Sequence, residues 1–342
     1  MVDWRVKGKF RVAAVLATLS IATFLVSWAQ LWPRNLVEKV YSRFVFPTVS
    51  HIAAPLADAV PFSWLDVAIV AFVAILIYCL RTRNGAVLVA TLSVAYLWFF
   101  WSWGLNYHRP PLESRMAIDA AKVQSADIDG FAQTAAAELN RLWPVVAGKD
   151  ASREAIAALA ASRVRLVCSR IEGRDWPAPS RVKRSLLADS WFEIAGIDGM
   201  FNPFGHEPLV ASGVLQFELP FVMAHELAHV RGIPNEGDAN LVAVLATVAS
   251  GDPAFQYSGW LNLWLYLRNP ERDRLLEAGP RRDLQLLFAR MRAQQAPWAS
   301  SLQAAILDWH LKANNIPEGR ASYSRFVALA IASRDRWKEF SN

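Results

Sequence analysis

Three long apolar runs fill the first third of the chain and constrain its fold more than any other feature. The first extends from about Val12 to Trp32, after a leader carrying Arg5, Lys7, Lys9 and Arg11. The second extends from about Phe62 to Leu80 and ends at Arg81-Thr82-Arg83; the third covers about Ala86 to Leu105. Each is close to the ~20 residues that cross a bilayer core as a helix. Trp28, Trp32, Trp64, Trp98, Trp101 and Trp103 lie near the ends of these runs, where an aromatic belt belongs. The first run is long for a cleaved signal sequence, although Ser27-Trp28-Ala29 loosely resembles a cleavage site. The reading is therefore a membrane domain of three transmembrane helices over residues 1–105.

Composition agrees. Apolar residues make up 54% of the 342 and charged residues 19%, and there are fifteen Trp. The formal charge of +6 is expected from cytoplasm-facing Lys and Arg, so no nucleic-acid partner is inferred. The basic leader and the Arg81–Arg83 loop fall on one side if all three helices span, and the positive-inside rule makes that side cytoplasmic. The chain then leaves the third helix on the far side, so residues 106–342 form an extracytoplasmic domain. Segment 33–61 falls there too, despite Arg34, Lys39 and Arg43. Cys79 and Cys168 make neither a CxxC motif nor a disulfide framework.

Asn106 to Leu112 breaks helical structure at the membrane exit. Amphipathic helices are predicted over 125–142 and 151–171, the second with Asp150 as N-cap and Gly173 past its end. Leu209 to Leu219 alternates and is β-branched, which predicts a strand. Helices are predicted at 221–231, 236–250, 257–268, 281–294, 298–314 and 317–335. The fold class is α+β, mostly helical, with a small sheet beside the helix at 221–231.

That helix carries His225-Glu226-Leu227-Ala228-His229. Residues i and i+4 share one helical face, so two imidazoles can bind one ion. Glu226 is then placed to take a proton from a metal-activated water and return it to a leaving group. A catalytic zinc site needs a third protein ligand. HExxHxxG continues through Gly232, but Asn235 stands where a metzincin has its third His. Asn235 is instead the expected N-cap of a second helix. Glu236 is the preferred third ligand, with Asn240 four residues on as its supporting amide. Asp238 sits about 200° around the helix from Glu236, so it is an alternative to Glu236 and not a companion. Tyr257 and His206 are candidate oxyanion stabilisers, and Glu207 a weaker one. Arg231 is set either to bind a substrate carboxylate or to form a salt bridge. The strand at 209–219 is expected to edge the cleft and pair with an extended peptide.

The run HELAHVRGIPNEGDAN resembles the DUF3810 family of uncharacterised bacterial membrane proteins, where HELAHQRG precedes an EDEAN-like stretch. Trp103-Gly104-Leu105-Asn106-Tyr107, Arg109-Pro110, Tyr257-Ser258-Gly259 and Glu318-Gly319 with Ser322-Tyr323 resemble other blocks of that family. This chain departs from the family pattern at Gly237 and Asp238. The resemblance implies a zincin-like domain in a bacterial inner membrane. The E-x-x-A-N arrangement is similar to third-ligand helices of gluzincin-like peptidases, which implies Glu236 and Asn240 at the site. The expected function is a membrane-anchored zinc metallopeptidase with Zn2+ on His225, His229 and Glu236, acting on protein or peptide substrates in the cell envelope. A non-catalytic zinc-binding scaffold or sensor is the alternative, and a hydrolase of non-peptide amides stays open.

Overall fold

The computed structural model describes residues 4–314, 316 and 325–341. The three apolar runs form helices α1 (Trp4–Trp28), α4 (Trp64–Thr82) and α5 (Gly85–Ser102), each long and apolar enough to cross a membrane. Val15, Val70 and Leu92 are among the many large apolar side chains they turn outward, as a lipid-facing helix requires. Helix α1 lies along α5, with the Ser20 hydroxyl donating to the Ser93 carbonyl at 3.2 Å. A left-handed Arg83 (φ 52°) ends α4, and Asn84 leads directly into α5. The start of α4 and the end of α5 therefore lie together, beside the rest of the chain.

The segment between the first two runs is helical. It comprises α2 (Arg34–Leu36), a π-helical stretch over Val37–Val45 and α3 (Phe46–Asp58). One side of it packs inward, while Leu36, Phe44, Ile52 and Leu56 stay exposed. Val37, Tyr41 and Phe46 are buried in a second core with Trp103, Trp176, Phe201 and Val230. Glu38 pairs with buried Arg109 at 2.8 Å, and Arg109 pairs with Glu172 at 2.8 Å. Opposite charges and the bidentate geometry of Arg offset the cost of burying them. Residues 34–58 are thus packed on the domain that follows α5.

A second fastening holds the start of α4. Ser63 caps that helix, and its hydroxyl donates to the Glu207 carboxylate at 2.8 Å. Glu207 is fully buried, accepts from Leu65 N–H and pairs with Lys183 at 2.9 Å. Asp66, in the first turn of α4, accepts from the Ser185 hydroxyl and from the N–H groups of Leu186 and Leu187.

After α5 come a 3-10 turn (Gly104–His108), α6 (Leu112–Met116), α7 (Ser125–Val146), α8 (Arg153–Glu172) and α9 (Asp189–Ala195). Strands β1 (Gly199–Asn202) and β2 (Glu207–Val210) form an antiparallel hairpin pairing Gly199 with Val210 and Asn202 with Glu207. Then follow α10 (Leu219–Val230), α11 (Glu236–Val248), α12 (Pro253–Leu267), α13 (Ala278–Gln294), α14 (Pro297–Ala313) and α15 (Phe326–Ala332). Helix α10 is central, packed against α8, α11, α12 and the hairpin. Helix α11 is buried on every side from Leu241 to Thr247, so its apolar run serves a core and not a membrane.

Four expectations need correction. Helix α8 is capped by Ser152, whose hydroxyl oxygen accepts the Ala155 N–H, and not by Asp150. The strand expected over 209–219 is Glu207–Val210 and no longer. Beyond it, Asp189 accepts from Ser212 N–H and Glu218 from Leu215 N–H, so side chains take up donors a ladder would use. Glu207 serves as an ion-pair anchor, away from any chemistry. Of the helix expected at 317–335, Phe326–Ala332 is helical, a 3-10 stretch follows over Arg334–Phe340, and 317–324 lies outside the described residues. Glu318, Gly319, Ser322 and Tyr323 fall there too.

Candidate metal centre

Two helices and the turn between them build the centre. His225 and His229 project from one face of α10, and Glu236 opens α11. The turn is held by Asn235, whose side-chain oxygen accepts from Gly237 and Asp238 N–H, as the N-cap reading required. Gly232 makes the reversal with φ +78°. A Cβ there would stand 2.9 Å from the Phe46 ring and 3.0 Å from the Asn106 side-chain oxygen. The turn brings the Ile233 carbonyl to 2.7 Å from His229 Nδ1. That bond places the proton on Nδ1 and leaves a lone pair on Nε2.

The ligand atoms converge. His225 Nε2 is 3.1 Å from His229 Nε2 and 3.1 Å from Glu236 Oε2, and His229 Nε2 is 3.5 Å from the same oxygen. All three residues offer atoms within 4.8 Å of one another. Burial pushes the Glu236 carboxyl up, but the two imidazoles outweigh it and hold the group well below the usual carboxylate range. Burial likewise disfavours a charged His229, yet Glu236 beside it lifts the imidazole to about 9. Two imidazole nitrogens and a carboxylate oxygen facing one another at these distances suit a cation. Two imidazoles and one carboxylate, with a side left open to a cleft, fit a zinc-type ion.

Glu226 is buried beside the cluster, and burial raises its carboxyl to about 7 despite both histidines. Gly199 of β1 lies against it: an ideal Cβ there would be 2.5 Å from Glu226 Oε1. The cluster opens into a cleft of about 880 Å³, bordered by β1, Phe221, Trp103, Tyr107, Tyr266 and His310.

The remaining candidates divide. Asn240 lines the cleft but donates to Tyr266 Oη at 3.4 Å, so its amide meets a tyrosine and not the Glu236 carboxylate. Asp238 points away and accepts the Leu112 N–H at 3.2 Å; burial raises it to about 6. Tyr257 is buried elsewhere, with its hydroxyl donating to Asp283 at 2.6 Å. His206 packs between Phe46 and Phe201 and stands outside the cleft wall. Neither therefore lines the cleft. Arg231 forms the salt bridge, to Asp175 at 2.8 Å. The cleft edge is β1, not the chain after Leu209.

Three residues at the cleft carry no site role in the sequence reading. Trp103, just past α5, donates its indole N–H to the His229 carbonyl at 2.8 Å. Tyr107 Oη lies 3.2 Å from His310 Nε2, and both line the cleft near Glu236. Burial raises the Tyr107 phenol and lowers the His310 imidazole. His310 is one of six histidines, set in an apolar amphipathic helix, and that scarcity was the available signal.

Fold and site together define a membrane protein with two histidines and a glutamate clustered in a cleft next to its membrane helices. The chain belongs to the family described as "Protein of unknown function (DUF3810)", whose pattern matches residues 41–331. No curated protein and no solved structure matches it.

Proposed function

We propose that the protein is a membrane-anchored, zinc-dependent metallopeptidase with a zincin-like active site. The observation that carries this reading is the convergence of His225, His229 and Glu236 within 4.8 Å, with buried Glu226 beside them. A divalent ion held there supplies Lewis-acid polarisation of a carbonyl and acidifies water. Glu226 is the proton carrier, accepting from the attacking water and donating to the departing amine. Its apolar setting suits both tasks, because a carboxyl raised toward neutrality can exist in either form. A purely structural metal site has no use for such an acid. Tyr107, whose oxygen can accept from His310 Nε2–H, keeps its own O–H as a donor to the carbonyl oxygen.

A peptide is favoured as substrate by β1. One edge of that strand pairs with β2; no strand pairs with its other edge among the described residues, and β1 borders the cleft. An extended polypeptide adds to such an edge by main-chain hydrogen bonds. By the positive-inside rule the basic leader and Arg81–Arg83 favour a cleft outside the cytoplasm of a bacterial inner membrane, where its substrates would be envelope proteins.

Metal analysis by mass spectrometry tests the reading on purified wild type and a His225→Ala/His229→Ala variant. About one zinc per chain is expected, lost in the variant. Folded wild type that takes up no zinc on addition would overturn it.

A further inference from the structure

Helix α14 has apolar residues on both faces. Inward, Ala299 and Leu311 are buried, and Leu307 and His310 line the cleft. Outward, Trp298, Leu302, Ile306 and Trp309 are 63, 47, 49 and 67% exposed. At about 100° per residue these four fall within an arc of about 80°. An exposed apolar stripe of this kind marks a surface that is covered in the working protein.

What covers it follows from its neighbours. His310, near the end of α14, packs on Phe99 with ring centroids 5.9 Å apart. Phe99 lies three residues before the end of membrane-length helix α5. At the other end, Trp298 packs on Trp191 of α9. Just before α9, Leu186 and Leu187 are 70% and 54% exposed, and both are tied to Asp66 in the first turn of α4. Phe204, also exposed, precedes Gly205, which abuts Trp64 at the start of α4. The outward apolar side chains thus come from separate segments and adjoin the domain-side ends of α4 and α5. Trp at both ends of the α14 stripe is the residue type that membrane–water interfaces favour.

We propose that α14 lies in the bilayer interface, with its Trp298–Trp309 stripe among the lipids, and that the cleft it walls receives polypeptide segments held at the membrane. The cleft supports the second part, since Phe99 of α5 and Ile306 of the stripe both line it. A segment emerging from the bilayer meets this wall first and needs no excursion into bulk water. The interfacial placement stands on its own; the substrate class rests on the peptidase reading.

Two measurements on the full chain in phosphatidylethanolamine/phosphatidylglycerol vesicles test it. A nitroxide is placed at Leu302→Cys, with Lys149→Cys in the exposed α7–α8 connection as reference, after replacing Cys79 and Cys168 by Ala. Oxygen should relax the label at 302 several-fold more than a water-soluble nickel chelate does, and the preference should reverse at 149. A label at 302 that behaves like 149, or that is shielded from both reagents by protein, overturns the interfacial placement. The second measurement compares a randomised fluorogenic peptide pool with and without an N-terminal palmitoyl chain. The wild type should cleave the lipidated pool at least tenfold faster, and Leu302→Lys/Trp309→Lys should abolish that advantage while still cleaving the free pool. Equal cleavage of both pools overturns the substrate class. Cleavage of neither, with 302 in lipid, overturns the peptidase reading and leaves the interfacial helix standing.

Discussion

Gly199 and Glu226 meet at a distance that admits no side chain: a Cβ on the glycine would sit 2.5 Å from Oε1 and 2.7 Å from Cγ of the glutamate. The backbone of β1 is therefore the wall that positions the proposed proton carrier. Gly199→Ala should displace the carboxylate while leaving His225, His229 and Glu236 in place. Hydrolysis should fall by about a hundredfold, since errors near 1 Å in a reacting group cost that much, with zinc content unchanged. Paired metal analysis and peptide turnover check this; lost zinc would mean that the substitution disturbs the whole centre.

Glu226→Gln isolates the acid–base role. The amide retains the shape and cannot carry the proton, so a loss of about 10²–10⁴ in turnover is expected with full metal occupancy. Undiminished turnover would remove Glu226 from the mechanism.

Glu236 and Asp238 are two residues apart, and the structure separates their roles. Glu236→Gln should weaken zinc binding by an order of magnitude or more, because it removes the one charged oxygen at the cluster. Asp238→Asn should leave zinc affinity within about twofold, since that carboxylate faces Leu112 and Arg115. Competition titration with a fluorescent chelator distinguishes them, and the reverse ranking would reassign the third ligand.

His206 supplies a pH test of stability. It is fully buried, and burial lowers its imidazole to about 4 from an ordinary 6.5. Between those values the unfolded chain binds a proton that the folded protein does not, so stability rises with pH across the window and is lost on acidification. The full shift corresponds to about 3 kcal/mol. His206 has φ 52°, a left-handed conformation that Asn tolerates. His206→Asn should therefore flatten the dependence of melting temperature on pH between about 6.5 and 4. An unchanged slope would place the acid sensitivity elsewhere.

Glu207→Gln probes the fastening of α4. Lys183 would lose its carboxylate partner in a site where both side chains are almost fully excluded from water. A loss of about 3–5 kcal/mol is expected, read as a lower midpoint of thermal unfolding in detergent. A shift equivalent to less than about 1 kcal/mol would show the pair to be solvated.

Much of this was legible in the sequence because it is local. The apolar runs announce themselves by length, and they fold as α1, α4 and α5 within a few residues of their expected ends at the domain side. The HExxH motif, the Asn235 cap and Glu236 at the start of α11 all lie within 12 residues, so helical periodicity was enough to relate them. The cleft walls were not legible. Tyr107 and His310 are 203 positions apart, and no periodic pattern links them. Trp103 reads as an interfacial anchor, and its bond to His229 is a tertiary accident of the way α5 ends. The stretch after Arg34 mixes Glu38, Lys39 and Arg43 with apolar residues and winds partly as a π-helix, so neither a membrane nor an α-helical pattern stands out.

The indole bond from Trp103 to the His229 carbonyl also decides how the molecule can be divided. A fragment beginning at Asn106 would lose that donor, and with it Phe99 and Trp103 from the cleft wall. It would also bare Phe201, Val230 and Trp176, which Val37, Tyr41 and Phe46 now cover. Cutting the chain there would thus yield an aggregation-prone remnant with a disturbed His225–His229–Glu236 cluster.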